Sequence, residues 1–146
     1  MGAALLQHAL AAQPEPLRSL KVISAGIASR TGEPISSNAV IALKKVGIDL
    51  KAHLSQPITQ ELLDHSILVL CMTKSHRNMI EETAYPVPPR VHLFREFVGT
   101  KDTMEIPDPY GLHLQAYEVS RDEMVDAVPS IIAYLSKLPR EVLSGR

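Results

Sequence analysis

The sequence predicts a three-layer α/β domain, in which helices cover both faces of a parallel β-sheet. Short runs typical of β-strands alternate with helical segments along the chain. The run SILVLCM at residues 66–72 is continuously apolar, which is the pattern of a strand buried inside a parallel sheet. The 146 residues, 45% of them apolar, are enough for one domain with a substantial core. In such sheets, ligand sites lie beyond the carboxyl ends of the strands.

The first half of the chain predicts two helices and a short strand. Apolar residues at helical spacing between positions 5 and 10 predict a helix that opens the chain and ends near Pro14. Residues 20–24, LKVIS, predict a strand. Ser36 and Ser37 are the candidate N-caps for a second helix, for which Gly47 is the expected stop.

The second half of the chain alternates helices and strands. Thr59 is a candidate N-cap for a short helix that precedes the strand at residues 66–72. A helix over residues 74–83 and a strand over residues 91–94 follow. Apolar residues at helical spacing mark a long C-terminal helix, and Pro129 inside it is expected to kink or divide it.

The composition excludes several classes of function. A formal charge of −1 offers no electrostatic surface for nucleic acid or an anionic membrane, and no apolar run approaches the length of a membrane span. One cysteine allows no internal disulfide, which is typical of a protein in the reducing cytoplasm. The six histidines show no metal-like spacing, so we expect neither a metal nor a cofactor. The oligomeric state is not predicted.

Residues 105–111, EIPDPYG, hold one acid, Asp108, between two prolines. Each proline fixes its own φ and keeps the residue before it out of the helical region, so Asp108 is held extended. Gly111 allows a sharp turn just beyond. A carboxylate on so stiff a segment is either a turn-forming aspartate or a placed catalytic acid. Tyr110 beside it is either a packing residue or a substrate contact.

A second pattern of interest, Cys71 to Arg77, has the spacing C-x5-R directly after a strand and before a helix. In cysteine phosphatases this spacing lets backbone N–H groups and the arginine surround a phosphate that a thiolate attacks. Such loops usually contain glycine, and MTKSH has none; Asn78 stands where these enzymes usually have Ser or Thr. We therefore interpret Cys71 as a small buried apolar residue.

Six stretches occur together in an order that resembles the low-molecular-weight protein tyrosine phosphatase family over nearly the whole chain. They are SAG (24–26), GEP (32–34), AVIALKKVGIDLKAH (39–53), ILVLCMTKSH (67–76), FREFVG (94–99) and IPDPYG (106–111). The CMTKSHRNM and DPYG stretches look most similar to bacterial members, which include tyrosine and arginine phosphatases.

The resemblance implies a reaction and the residues that serve it. Family members hydrolyse phosphate monoesters through a phosphocysteine, acting on a phosphorylated protein or a small phosphate ester. By resemblance, Asp108 is the general acid that protonates the leaving oxygen, and Tyr110 is the aromatic residue that lines the substrate cleft. We expect Asp108 on an exposed loop at the carboxyl end of the sheet, facing the start of the first helix near Gly2. Ser24 and His53 match positions that brace the phosphate loop through hydrogen bonds. Cys71 matches the end of the family's third strand and is therefore structural.

The chain departs from the family at its start. Family members begin with a strand and C-x5-R-S-P-M, and Met1 here falls at the final Met of that pattern. We therefore expect residues 1–146 to form a single N-terminally truncated phosphatase domain without its nucleophile, its phosphate loop or the first of four strands. That strand lies in the middle of the family sheet, so residues 20–24 should be separated from 66–72 by a gap, unless direct pairing or a partner's strand closes it.

Several functional interpretations remain open on this sequence. The chain is an inactive form of the phosphatase, or a non-catalytic pseudophosphatase or binding module, or part of an active enzyme whose start codon is assigned too late. A protein-arginine phosphatase and an arsenate reductase of the same fold are further alternatives.

Overall fold

The computed structural model describes residues 1–26, 36–49, 56–99 and 104–144. The helices and strands in these ranges are α1 (Gly2–Leu10), α2 (Ser37–Lys44), α3 (Gln60–Asp64), β1 (Val69–Cys71), α4 (Lys74–Thr83), β2 (Val91–Leu93), α5 (Leu114–Ser136) and α6 (Arg140–Ser144). Single 3₁₀ turns lie at Leu17–Ser19 and Glu96–Val98. Within these ranges, no helix has the length and apolar character that crossing a membrane requires.

The two strands form a parallel sheet, with Val69 opposite Val91 and Cys71 opposite Leu93. Helix α4 is the crossover between them, as parallel neighbours require. Because alternate strand residues face opposite sides, Cys71 and Leu93 pack together with Leu63 of α3 and Ile80 of α4 on one face.

The other face of the sheet carries the larger core. Leu70 of β1 adjoins a cluster supplied mainly by α1 and α5. The buried members of that cluster are Leu5, Leu6, Leu10, Leu17, Leu43, Phe94, Ile106, Met124, Ala127, Val128, Ile131, Leu135 and Leu143. Helices therefore cover both faces, which confirms the predicted three-layer α/β class.

Local side-chain signals explain where the helices begin and end. Of the two serines offered as N-cap of α2, Ser36 is the cap and Ser37 is the first helical residue, and the cap expected at Thr59 is confirmed. Each capping hydroxyl accepts a backbone N–H three residues further on, at 3.2 and 3.1 Å. Thr73 caps α4 in the same way at 3.2 Å. Helix α2 ends before Gly47, whose φ of 84° is a left-handed conformation that glycine adopts without strain.

The strand predicted at residues 20–24 is wrong as a strand assignment. The segment pairs with neither described strand, and the sheet contains only β1 and β2 among the residues described. A strand needs a hydrogen-bonded neighbour, and here a side chain of α1 takes that place: Gln7 accepts the Val22 N–H at 2.8 Å and donates to the Leu20 carbonyl at 3.0 Å.

The predicted division of the C-terminal helix at Pro129 is also wrong. Helix α5 continues from Leu114 to Ser136 with Pro129 inside it. Pro129 is exposed, whereas Val128 and Ile131 beside it are buried in the larger core. Burial of residues on both sides of the proline keeps the segment helical, at the cost of one backbone hydrogen bond.

Strand β1 has one edge without a strand partner. Its bonds to the β2 side run from the Val69 N–H to the Arg90 carbonyl and from the Phe94 N–H to the Cys71 carbonyl. In a parallel pair, alternate residues bond to opposite sides, so the backbone groups of Leu70 point away from β2. No strand of the described ranges lies on that side.

Candidate active site at the carboxyl end of the sheet

The loop that carries Asp108 begins at the carboxyl end of the sheet. The Ile106 N–H donates to the carbonyl of Met72, directly after β1, at 2.8 Å. The Ile106 side chain is 1% exposed and belongs to the larger core. The loop is thus anchored where the parallel-sheet rule expects a site.

Asp108 lies exposed on this loop, as the sequence predicts. Its Oδ1 accepts the Tyr110 N–H at 3.0 Å, which is the bond of a turn-forming aspartate. The Leu112 N–H donates to the Pro109 carbonyl at 2.9 Å, and Gly111 has a φ of 80°. Asp108 therefore has the turn function, and its part in catalysis stays a prediction.

Asp108 and the residue before α1 interact electrostatically. Burial lowers the pKa of the Met1 amino group, and the Asp108 carboxylate opposes that shift. Charge interactions weaken with distance, so the carboxylate is within electrostatic range of Met1, the N-cap residue of α1. Helix α1 has no side-chain cap, and its N-terminus, like that of any helix, favours an anion nearby. An acid opposite a helix N-terminus can protonate the leaving group of a bound anionic ester.

Gly2 lets α1 approach the sheet closely. A Cβ at this position would stand 2.7 Å from Cε of Met72 and 3.2 Å from Cε2 of Phe94. Met72 is also the residue whose carbonyl holds Ile106. The start of α1 and the loop of Asp108 are therefore packed on the same end of β1.

Tyr110 projects from the loop and is 79% exposed, and Leu112 nearby is 58% exposed. An exposed aromatic ring two residues from the acid could form the wall of a substrate cleft. The role of Tyr110 in substrate binding stays a prediction.

Ser24 lies in the extended segment between the 3₁₀ turn at Leu17–Ser19 and Gly26, and His53 lies outside the described residues. The Ser24 carbonyl accepts a hydrogen bond from Nε2 of Gln56 at 3.0 Å. Just beyond it, Gly26 forms a parallel bridge with Pro57. A groove of about 420 Å³ separates α1 from this segment, and Ser24 and Gln56 help to line it. The predicted bracing roles of Ser24 and His53 remain predictions.

Cys71 and Arg77 do not form a phosphate loop. The Cys71 side chain is 5% exposed, and burial raises the pKa of its thiol from 9.0 to about 11, although Arg77 acts in the opposite direction. The backbone becomes helical at Lys74, and Arg77 lies in α4, 3.7 Å from Glu96. The interpretation of Cys71 as a buried apolar residue agrees with this geometry.

We expect the buried thiol to make stability depend on pH. The unfolded thiol ionises near pH 9, whereas the folded one stays neutral up to about pH 11. The contribution of the neutral thiol to the free energy of unfolding is therefore fully present below pH 9. It is lost as the pH rises towards 11, a decrease of about 3 kcal/mol. Urea unfolding at pH 8 to 11 measures this decrease, and the free energy of unfolding of Cys71→Ala should fall less steeply with pH. Equal slopes in both proteins would contradict the prediction.

Glu105 is a site residue that sequence reasoning did not identify. Its Oε2 accepts the N–H of Lys74, the first residue of α4, at 2.6 Å. The partners are 31 residues apart in sequence, so no local pattern indicates the contact. No group of His, Cys, Asp and Glu side chains within the described ranges could hold a metal ion.

Comparison with known proteins gives matches along nearly the whole chain. The family model described as low molecular weight phosphotyrosine protein phosphatase matches residues 1–142. The protein-arginine-phosphatase of Geobacillus stearothermophilus is 33% identical over 124 residues, which are 85% of this chain and 78% of that protein. The probable low molecular weight protein-tyrosine-phosphatase EpsP of Ralstonia nicotianae is 33% identical over 123 residues, 82% of each chain.

Solved structures show the same architecture. The structure of the YwlE arginine phosphatase from Geobacillus stearothermophilus matches with a TM-score of 0.80 and 30% identity. The match covers 92% of this chain and 82% of that one. The family-model match, over residues 1–142, includes the loop that carries Asp108.

Proposed function

The chain belongs to the low molecular weight phosphotyrosine protein phosphatase family, and we propose that it is the scaffold of a phosphatase acting on phosphorylated proteins, with Asp108 as general acid. The observation that supports this most directly is the exposed Asp108 carboxylate close to the start of α1. Tyr110, exposed on the same loop, is the proposed wall of the substrate cleft.

The proposed reaction has two steps. A cysteine thiolate attacks phosphorus, and the bond between phosphorus and the leaving oxygen or nitrogen breaks. Protonated Asp108 gives its proton to that atom as the bond breaks, so the leaving group departs neutral. Water then gives a proton to the Asp108 carboxylate and attacks the phosphocysteine, and the bond between phosphorus and sulfur breaks. This step releases inorganic phosphate, restores the thiolate and leaves Asp108 protonated for the next cycle. Asp108 has to be held in position for the first step, and the two prolines beside it serve that need.

We further propose that residues 1–146 cannot complete this reaction by themselves. Cys71 is the single cysteine, and its buried thiol has a pKa of about 11. A thiolate carried just ahead of Met1 would instead stand at the start of α1, beside Asp108. The edge of β1 that has no strand partner in the described ranges supports a strand in front of that thiolate. A lone buried thiol also suits the reducing cytoplasm, which we propose as the location.

The substrate is tested with the protein extended by the C-x5-R segment that the family carries ahead of α1. We expect it to release phosphate from phosphotyrosyl or phosphoarginyl peptides, the two classes named for its relatives. Release from one class identifies the substrate. Binding of both peptides without release would contradict the proposal and indicate a non-catalytic binding module.

A further inference from the structure

We propose that Glu105 is a positioning residue for Asp108, holding the general-acid loop against the N-terminus of α4. The inference rests on the function proposed above, because it concerns the residue that supplies the proton. Its structural part, the anchoring of the loop, is measured separately from catalysis.

The contact itself is short and charged. Oε2 of Glu105 accepts the Lys74 N–H at 2.6 Å, at the first residue of a ten-residue helix. Backbone N–H groups in the first turn of a helix have no partner within the helix, and the helix dipole favours an anion there. A carboxylate that accepts such an N–H makes one of the stronger kinds of hydrogen bond.

The neighbouring residue fixes the loop from the other side. Ile106 is buried in the larger core and donates its N–H to the Met72 carbonyl. Glu105 and Ile106 thus attach consecutive residues to two different elements, the start of α4 and the end of β1. Two attachments at adjacent residues restrict rotation of the chain as well as its translation.

The chain between these attachments and Asp108 is stiff. Pro107 and Pro109 have fixed φ angles, and each limits the residue before it, so Ile106 and Asp108 are restricted as well. Asp108 also bonds to the Tyr110 N–H. A shift at Glu105 is therefore passed along the loop to the Asp108 carboxylate rather than absorbed by free rotations.

Positioning matters most where proton donation matters most. A poor leaving group such as phenolate needs its proton as the bond to phosphorus breaks, whereas p-nitrophenolate can leave with little help. A displaced Asp108 should therefore slow the hydrolysis of phenyl phosphate more than that of p-nitrophenyl phosphate. A loss of folded protein would slow both equally.

The first measurement is amide hydrogen exchange in the 146-residue chain. We expect Glu105→Ala to speed exchange at the Ile106 and Tyr110 N–H groups by about tenfold. Thr73→Ala is the matched control, because Thr73 caps the same helix through the His76 N–H and does not contact the loop in the described hydrogen bonds. Unchanged exchange in Glu105→Ala, or equal acceleration in Thr73→Ala, overturns the proposal.

The second measurement uses the protein extended by the C-x5-R segment. We expect Glu105→Ala to lower kcat for phenyl phosphate about tenfold and kcat for p-nitrophenyl phosphate about twofold. The ratio of the two kcat values therefore falls. Glu105→Gln should lower this ratio by an intermediate amount, and Thr73→Ala should leave it unchanged. In an Asp108→Ala background, Glu105→Ala should have no further effect on the ratio. A further change in the ratio overturns the positioning role. If Asp108→Ala alone leaves the ratio unchanged, the acid assignment fails instead, whatever the exchange measurement shows.

Discussion

The purified 146-residue chain is expected to hydrolyse p-nitrophenyl phosphate no faster than the buffer does. Its one cysteine, Cys71, has a pKa of about 11, so about one thiol in 10⁴ is ionised at pH 7. That thiol is buried between β1, α3 and α4, where a phosphate ester cannot reach it. Asp108 alone does not compensate, because general acid catalysis contributes about 10²–10⁴-fold and phosphate monoester hydrolysis needs far more.

The assay compares the chain with Cys71→Ser and with Asp108→Ala. All three proteins should give the same background rate. Turnover that Cys71→Ser abolishes would mean that residues 71–77 form a working phosphate loop, and the structural assignment of Cys71 would be wrong. Turnover by a form extended with the C-x5-R segment, beside an inactive 146-residue chain, is the result that the proposed function requires.

The elements that sequence predicted well are those with local causes. Ser36 and Thr59 cap their helices through bonds to residues three positions away, and Gly47 stops α2 through its own φ. The apolar run at residues 66–72 gives β1, although only Val69–Cys71 form the ladder. Such signals depend on a few neighbouring residues and can be read without knowing the fold.

The errors have causes beyond the local sequence. Residues 20–24 have the composition of a strand, but a strand also needs a partner, and Gln7 takes up two of their backbone groups instead. A division of the C-terminal helix at Pro129, one of the two outcomes predicted there, is wrong, because burial of Val128 and Ile131 keeps α5 continuous. In both cases tertiary contacts outweigh local preference.

In the candidate site, too, the features with local causes were predictable and the long-range contacts were not. The stiff Pro-Asp-Pro segment and the family motif place Asp108 on an exposed loop, and the structure confirms that location. The bond from Lys74 to Glu105 joins residues far apart in sequence and could not be predicted. The roles assigned to Tyr110, Ser24 and His53 rest on the resemblance to the family and stay predictions.

Asp108 is the residue whose replacement we expect to be most damaging in the form that carries the nucleophile. Asp108→Asn should lower kcat for p-nitrophenyl phosphate about 10²-fold, and for phenyl phosphate more, towards 10⁴-fold. An asparagine side chain still accepts the Tyr110 N–H, so the turn is kept, but it cannot donate the proton. The variant therefore removes the acid while leaving the turn.

The two interpretations of Asp108 predict different pairs of results, and steady-state kinetics with both esters distinguishes them. If Asp108 serves only the turn, Asp108→Ala loses activity and Asp108→Asn keeps it. If Asp108 is the general acid, both variants lose activity, and both lose more of it with phenyl phosphate. Asp126→Asn, which neutralises an exposed acid on α5, controls for the loss of one charge and should retain full activity. A fully active Asp108→Asn would leave Asp108 as a structural residue, and the proton donor would have to be sought elsewhere at this end of the sheet.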